Sequence, residues 1–257
     1  MKQLDVKVSS RLGYKRTYKG EIPETWSELS ASQLIAVAEF YLHDAIQVSM
    51  IANLVNIPTR LVKKMTEWEI YNILQDLKWM GDFQPLSSLI IVNVNKLYPP
   101  RPKLENMNWG QFIYVDTFYD QYVWDQTNES LDIFIAHLYL PNNEEFDHTV
   151  CSSRALAPRV KSVDKQIKLA IMINYRLVRE WLMTVYPLVF VKKNKAESPD
   201  KAEIREENKK SQLDWIKIHE AIVGDNLVDY EKYATLNVHT IFRYLTRKIK
   251  ENARKKH

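Results

Sequence analysis

Residues 163–186, VDKQIKLAIMINYRLVREWLMTVY, constrain the fold more than any other stretch of this sequence. Read as a helix, the stretch places apolar side chains at spacings of three and four residues, and its middle, LAIMI at 169–173, is apolar at every position. A helix that is apolar on most sides is buried by neighbours on most sides. Charges at both ends and Arg176 within it interrupt the stretch too much for a bilayer span, and Pro187 stops the helix. The stretch therefore predicts the buried central helix of a helical domain.

Glycine is scarce, with 5 among 257 residues. Phosphate-binding loops, nucleotide-binding turns and tight hairpins all use glycine, because it adopts positive φ at little cost. Abundant Leu, Ile, Lys and Glu with so little glycine favour helices joined by Asn, Asp and Pro loops. The single cysteine, Cys151, excludes an intramolecular disulfide and suits a reducing compartment.

The N-terminal region alternates apolar and polar residues at 3–8 and in part of 11–18, with Gly13 between the two runs. This pattern predicts a short β-hairpin or an extended arm. Because an isolated two-stranded hairpin is marginally stable, we expect it to lean on another surface or subunit.

Helices follow from apolar periodicity and from capping residues. They are predicted at 30–42, 45–55, 66–79, 108–122, 128–140, 213–223 and 238–253. Three of them open on a capping-box pattern: Ser30 with Gln33, Thr66 with Glu69, and Asn108 with Gln111. Residues 89–92, LIIV, predict a short strand or extended segment before a proline turn, and Gly224 predicts a left-handed helix stop.

The chain as a whole is predicted to be mainly α, a multi-helix domain around a buried central helix with a short N-terminal hairpin or arm. We predict the arm or hairpin at 1–20, the helical core domain at 21–190, a charged linker or exposed helix at 191–211, and a C-terminal helical pair with a basic tail at 212–257. The beginning of the sequence lacks the apolar core of a secretory signal, and no run approaches a membrane span. We therefore expect a cytoplasmic protein without a membrane partner.

Catalytic and metal-binding signatures do not stand out. The six histidines are scattered, none in an HExxH or HxxxH pattern, and a zinc site would need distant carboxylates. Cys151 has Arg154 and His148 nearby, yet no recognisable orienting base or oxyanion site. We predict no catalytic residue, no metal and no cofactor; an enzyme whose site assembles from distant residues stays as a weaker alternative.

Cations crowd the end of the last predicted helix. At a helix C-terminus they complement the macrodipole, and this interpretation is favoured for part of the set. Those beyond one turn are candidates for contact with phosphates or with an acidic protein patch. The candidate residues are Arg243, Arg247, Lys250, Arg254, Lys255 and Lys256.

Aromatic side chains crowd residues 109–124. Stacking on nucleic-acid bases is one interpretation, but Asp116, Asp120 and Asp125 in the same segment repel a phosphate backbone. Aromatic residues are also enriched at protein interfaces, so the favoured interpretation is core plus interface. The candidate partner-binding residues are Trp109, Phe112, Tyr114, Phe118, Tyr122 and Trp124.

Two short motifs, GQFI at 110–113 and AHLYLP at 136–141, resemble segments of tailed-bacteriophage neck and tail-assembly proteins. Such proteins often carry T-x-G-(Q/E)-F-I-D, then an acidic aromatic helix, then (I/L)-(L/A)-A-(I/V)-L-Y-(R/L)-P. This chain has Trp109 where Thr is common and Tyr114 where the acid falls. The opening IPETWSEL with Gln33-Leu34 is similar to the start of these proteins, as is the late set Trp215, Ile218, Gly224 and Tyr230-Glu231-Lys232.

The resemblance implies a non-enzymatic phage or prophage protein. Its implied role is a structural piece of the virion neck or tail, or a chaperone that holds the tape-measure protein during tail assembly. Its partners would be other virion or tail-assembly proteins and further copies of itself, in the host bacterial cytoplasm during assembly. Only the structural role, and not the chaperone role, would also place it in the finished virion. The alternative is a helical nucleic-acid-binding protein that uses its basic C-terminal helix.

Overall fold

A computed structural model describes residues 1–9, 15–43, 48–141, 158–190, 214–224 and 227–255. Several predictions lie outside these ranges: those on Cys151 and His148, the charged segment 191–211, and Lys256. Within the described ranges the protein is mainly α, as predicted, with an N-terminal antiparallel hairpin. No described helix has both the length and the apolar character needed to cross a lipid bilayer.

The elements are numbered here in chain order. The helices are α1 (Ala31–His43), α2 (Val48–Leu54), α3 (Thr59–Val62), α4 (Glu67–Asp76), α5 (Trp109–Asp125), α6 (Asn128–Leu138), α7 (Lys165–Val185), α8 (Trp215–Val223), α9 (Leu227–Thr235) and α10 (Val238–Lys255). The strands are β1 (Lys2–Ser9), β2 (Lys15–Ile22), β3 (Leu97–Tyr98) and β4 (Leu140–Pro141). Single 3-10 turns lie at Trp26–Glu28, Lys78–Gly81 and Pro102–Leu104.

The described chain divides into two compact units. The first comprises Met1–Leu86 with Asp164–Glu180, and the second comprises Ser87–Val163 with Trp181–His257. Helix α7 contributes to both, and it confirms the helix predicted at the centre of the sequence. It ends at Val185, two residues before Pro187, because proline lacks the N–H group that the helix ladder needs. Its own buried side chains are Leu169, Ala170, Ile171, Ile173, Asn174, Tyr175, Leu177, Val178 and Leu182.

The N-terminal hairpin leans on its own unit, as expected. Strands β1 and β2 pair antiparallel, and the backbone N–H of Glu21 donates to the carbonyl oxygen of Val55 at 3.0 Å. A Cβ atom at Gly20 would lie 2.6 Å from that oxygen and 2.7 Å from Ile57 Cγ2. Glycine at this position therefore allows β2 to approach the segment that follows α2.

The first unit has a core built on Trp26, which is fully buried. Its ring meets Trp79 edge-on at 5.4 Å and stacks on Phe83 at 5.5 Å, and the Arg176 guanidinium lies 3.6 Å from the Phe83 ring centroid. The indole of Trp26 donates to the Asp82 carbonyl oxygen at 2.8 Å. Arg176, which interrupts the apolar run of α7, is thus accommodated over an aromatic face.

The predicted helix caps form in full at two of three sites. Ser30 with Gln33, and Thr66 with Glu69, exchange both capping hydrogen bonds before α1 and α4. Before α5, the Asn108 side chain accepts from the Gln111 N–H at 2.8 Å. The Gln111 amide donates to the carbonyl oxygen of His137 at 2.8 Å, which joins α5 to α6.

In the second unit the strand alternative for residues 89–92 is wrong, and the left-handed helix stop predicted at Gly224 forms only in part. Residues 89–92 do not form a strand; the Ile91 carbonyl oxygen accepts from the buried Tyr139 hydroxyl at 2.7 Å, so a side chain supplies the partner that a strand ladder would have given. The two short strands β3 and β4 pair with each other and do not include residues 89–92. Gly224 has φ of 67° and ψ of −147°, a positive-φ conformation that glycine tolerates but not the left-handed helical one.

The C-terminal region contains a helix that the sequence did not predict, α9, between the two that it did. The segment around it is tied to the start of α5: the Trp109 N–H donates to the Leu236 carbonyl oxygen at 2.8 Å, and the Val238 N–H donates to the Met107 carbonyl oxygen at 3.0 Å. These bonds fix α9 and α10 against α5 within the second unit.

Candidate functional site

Helix α5 divides the aromatic segment into two faces. On the inner face, Trp109 and Phe112 are fully buried, and Tyr122 is 4% exposed. Phe112 lies 5.7 Å from Trp109, 5.2 Å from Trp215 and 5.1 Å from Phe242 between ring centroids. Trp109, Phe112 and Tyr122 are therefore core residues in this structure and present no surface to a partner.

Hydrogen bonds hold this inner face to α8. The Trp215 indole donates to Asp116 Oδ2 at 2.6 Å, and the Trp109 indole donates to His219 Nδ1 at 3.0 Å. Because Nδ1 of His219 accepts, the neutral imidazole carries its proton on Nε2. Asp116, one of the three acids that the sequence places in the aromatic segment, is fully buried here.

The other face of α5 lines a cavity of about 200 Å³. Three helices of the second unit form its wall: α5 with residues at steps of three and four, α8 with two residues one turn apart, and α9 likewise. The wall residues are Gly110, Ile113, Tyr114, Thr117, Phe118, Ile216, His219, Tyr230 and Ala234.

Large apolar side chains remain partly exposed around this cavity. Tyr114 is 39% exposed, Ile216 is 47% exposed and Tyr230 is 38% exposed. A single exposed apolar side chain is ordinary on a protein surface. Several exposed apolar side chains around one concave surface are typical of a site that binds a ligand or a partner. Two of the predicted partner-binding residues, Tyr114 and Phe118, lie here.

Small residues set the dimensions of the cavity. A Cβ atom at Gly110 would lie 3.3 Å from both the Cβ and the carbonyl oxygen of Ala234, so glycine and alanine together let α9 pack closely on α5. Tyr230 of α9 then meets the His219 ring edge-on, with centroids 4.3 Å apart. The close packing of α9 on α5 thus places the Tyr230 ring on the α8 side of the cavity.

His137 of α6 supports the cavity wall. Its ring stacks on Tyr114 at 5.0 Å and on Phe118 at 5.6 Å, and its Nδ1 donates to the Ile133 carbonyl oxygen at 2.8 Å. Burial lowers the pKa of His137 below its ordinary value, so the imidazole is neutral near pH 7. The stack fixes two aromatic rings of the wall in place.

The wall is uncharged at neutral pH. Burial raises the pKa of the Tyr230 hydroxyl, and Tyr114 and Glu220 raise it further, so that hydroxyl stays protonated. The cavity consequently offers aromatic and aliphatic contact together with neutral hydroxyl groups. This is the chemistry of recognition by shape and apolar contact.

The remaining predicted residues lie away from the cavity. Trp124, at the end of α5, is 55% exposed and is not part of the wall. Arg243, Arg247, Lys250, Arg254 and Lys255 are exposed along α10.

Sequence reasoning missed the contributions of α8 and α9 to the wall, Ile216, His219 and Tyr230. In the sequence, the signal for the α8 part of the wall was Ile216, a large apolar residue beside Trp215. It also missed two exposed aromatics of the first unit: Trp68 is 72% exposed and Tyr71 is 57% exposed on adjacent turns of α4. Both lie off the side of the helix that carries Ile70, Ile73, Leu74 and Leu77 in the sequence, and this position was the signal for them.

Within the described ranges, no group of three or more His, Cys, Asp or Glu side chains is placed to hold a metal ion.

The two motifs of the phage resemblance meet in space, since Gln111 of the first motif donates to the His137 carbonyl oxygen of the second. Comparison of the chain with protein-family models, curated proteins and solved structures finds no match.

Proposed function

We propose that this protein is a non-enzymatic assembly protein that acts through protein–protein contacts, of the kind that tailed phages use to build the neck or tail. The observation that carries the proposal is the uncharged cavity with Tyr114, Ile216 and Tyr230 partly exposed around it. In this proposal the cavity receives an apolar side chain of another virion or tail-assembly protein, or of a second copy of the chain.

The size and chemistry of the cavity support this role. A dry apolar cavity of about 150 Å³ is large enough to hold benzene. The cavity here, about 200 Å³, therefore accommodates one aromatic or branched aliphatic side chain. Tyrosine is enriched at the centre of protein interfaces, where a few buried anchors supply most of the binding free energy.

The phage assignment is supported by the resemblance and by how its motifs pack. Phe112 of the first motif and Leu138 of the second are both fully buried. With the Gln111 bond to the His137 carbonyl oxygen, they make the two motifs one packed structure. The outer side of that structure, at Tyr114 and Phe118, is the cavity wall.

Size-exclusion chromatography with light scattering tests the proposal, on the protein alone and co-expressed with the proteins encoded beside it. We expect a defined oligomer or a stable complex that survives an increase in salt, because apolar contact is not screened by ions. Ile216→Asp should weaken the association by at least about tenfold, or about 1.4 kcal/mol, by placing a charge at the cavity.

The matched control is Ala221→Asp, which adds the same charge to an exposed position of α8 outside the cavity wall. It should leave association unchanged. A clean monomer that binds none of the neighbouring proteins would contradict the proposal. So would equal loss of association in both variants.

A further inference from the structure

Helix α10 changes character one turn after its start. Val238, Ile241 and Phe242 are buried, and they anchor the helix in the second unit. No side chain described from Arg243 to Lys255 is buried. Most of the length of this helix is therefore surface.

Positive charge is concentrated in this exposed part. Residues 243–255 contain six Lys or Arg residues and one acid, Glu251, which gives a net charge of 6 − 1 = +5. The whole chain has a net charge of +4, so the rest of it sums to 4 − 5 = −1. The basic character of the protein is thus largely a local property of α10 rather than a general one.

Four of the cations form a straight stripe. Arg243, Arg247, Lys250 and Arg254 follow one another at steps of four, three and four residues, which places them on one face of the helix. At 1.5 Å per residue the stripe is about 16 Å long. Lys248 and Lys255 flank it.

The single carboxylate does little to neutralise the stripe. Glu251 lies 3.8 Å from Arg247 Nε and 3.5 Å from Lys248 Nζ, and all three side chains are well exposed. Exposed pairs of this kind contribute little free energy and are screened by salt. The helix macrodipole explains cations in the last turn, Arg254 and Lys255, but its influence falls off before Arg243 and Arg247.

We propose that the basic stripe of α10 binds the phosphate backbone of double-stranded nucleic acid. A regular row of cations fits a ligand whose negative charges also repeat regularly, and a helix of this diameter fits the major groove of DNA. The stripe carries no large apolar side chain between its cations. An acidic protein partner fits less well, because protein interfaces rely on large buried anchors and the stripe has no large apolar side chain between its cations.

Fluorescence anisotropy with the full-length protein and a labelled mixed-sequence DNA duplex of about two helical turns tests this inference. Four phosphate contacts predict that log Kobs falls against log salt concentration with a slope of about −3.6. Replacing two stripe cations, Arg247→Gln with Lys250→Gln, should reduce the magnitude of that slope by about 1.8.

The matched control removes two exposed lysines of the same unit away from α10, Lys217→Gln with Lys232→Gln. It should leave the slope unchanged, and equal helical circular dichroism in all variants shows that folding is intact. A charge-retaining pair, Arg247→Lys with Lys250→Arg, should keep the wild-type slope.

Three results would overturn the inference. One is the absence of duplex binding at about 50 mM salt, where phosphate contacts are strongest. Another is a salt slope that does not differ between the stripe variant and its control. The third is competition by polyglutamate as effective as competition by unlabelled duplex, which would assign the stripe to an acidic polypeptide.

Discussion

The two faces of α5 carry similar aromatic residues and have opposite surroundings. On the inner face, Trp109 and Phe112 are fully buried among rings from α8 and α10. On the outer face, Tyr114 is 39% exposed beside a cavity of about 200 Å³. The difference teaches that an aromatic-rich helix can build a core and a recognition surface at once, and that only the tertiary packing tells which residue does which.

The comparison separates two kinds of effect. Substitutions on the inner face should lower the free energy of unfolding, because they remove packed rings or leave a buried polar group without its hydrogen-bond partner. Substitutions at the outer face should alter association and leave the fold largely intact.

Phe112→Ala should lower the free energy of unfolding by about 3–5 kcal/mol, because it leaves a cavity among packed rings. Phe118→Ala, on the outer face of the same helix, should cost less, since that ring is only partly buried. Urea denaturation followed by circular dichroism measures both. Equal destabilisation by the two changes would remove the distinction between the faces.

Trp215→Phe should lower the free energy of unfolding by about 1.5–3 kcal/mol, because it removes the donor to a buried carboxylate. That carboxylate, Asp116, accepts from the Trp215 indole at 2.6 Å. Trp124→Phe is the matched control on an exposed indole and should stay within about 0.5 kcal/mol of the wild type. A wild-type stability for Trp215→Phe would show that the bond does not hold the inner face together.

The pH dependence of stability tests the ring stack behind the outer face. Burial lowers the pKa of His137 below the ordinary value of 6.5, so below pH 6.5 the unfolded state binds a proton that the folded state does not. The contribution of His137 to stability is therefore full above pH 6.5 and falls as the pH drops toward the folded-state pKa, by up to about 1.4 kcal/mol per pH unit.

His137→Phe keeps an aromatic ring against Tyr114 and Phe118 while removing the titration. Denaturant-induced unfolding of both proteins between neutral and mildly acidic pH should show that the free energy of unfolding depends less on pH in the variant. Identical slopes in the two proteins would mean that another group is responsible for the pH dependence.

Ile216→Asp should change the free energy of unfolding least, by about 0.5 kcal/mol or less, because its side chain is 47% exposed. Chemical denaturation gives this value directly. A loss of stability comparable to that of Phe112→Ala would mean that Ile216 is a core residue, and the association loss expected for this variant would then have no bearing on recognition.

Local patterns predicted the elements whose determinants are local. Two helix caps and the helix α7 follow from residues within a few positions of each other, and the amphipathic α10 follows from its own periodicity. Helix α9 escaped prediction because its sequence, LVDYEKYAT, has only nine residues and too few turns to establish a helical period. The strand alternative for residues 89–92 failed because β propensity depends on a strand partner, and here the Tyr139 hydroxyl binds the Ile91 carbonyl oxygen instead.

The candidate site was only partly predictable for a related reason. Tyr114 and Phe118 were identified as aromatic residues, but Trp109 and Phe112 beside them in sequence have the opposite role. The wall of the cavity is completed by Ile216 and by α9, about a hundred residues away along the chain. No periodicity within α5 shows which of its faces those helices cover.

Site-specific photo-crosslinking tests the central claim, recognition at the outer face of α5, most directly. A photoreactive residue at position 216 is compared with one at position 221, which is exposed on the same helix but outside the cavity wall. In cells that co-express the neighbouring proteins, the account predicts a defined crosslinked product from position 216 and none from position 221. A product from position 221 alone, or none from either position, would contradict it.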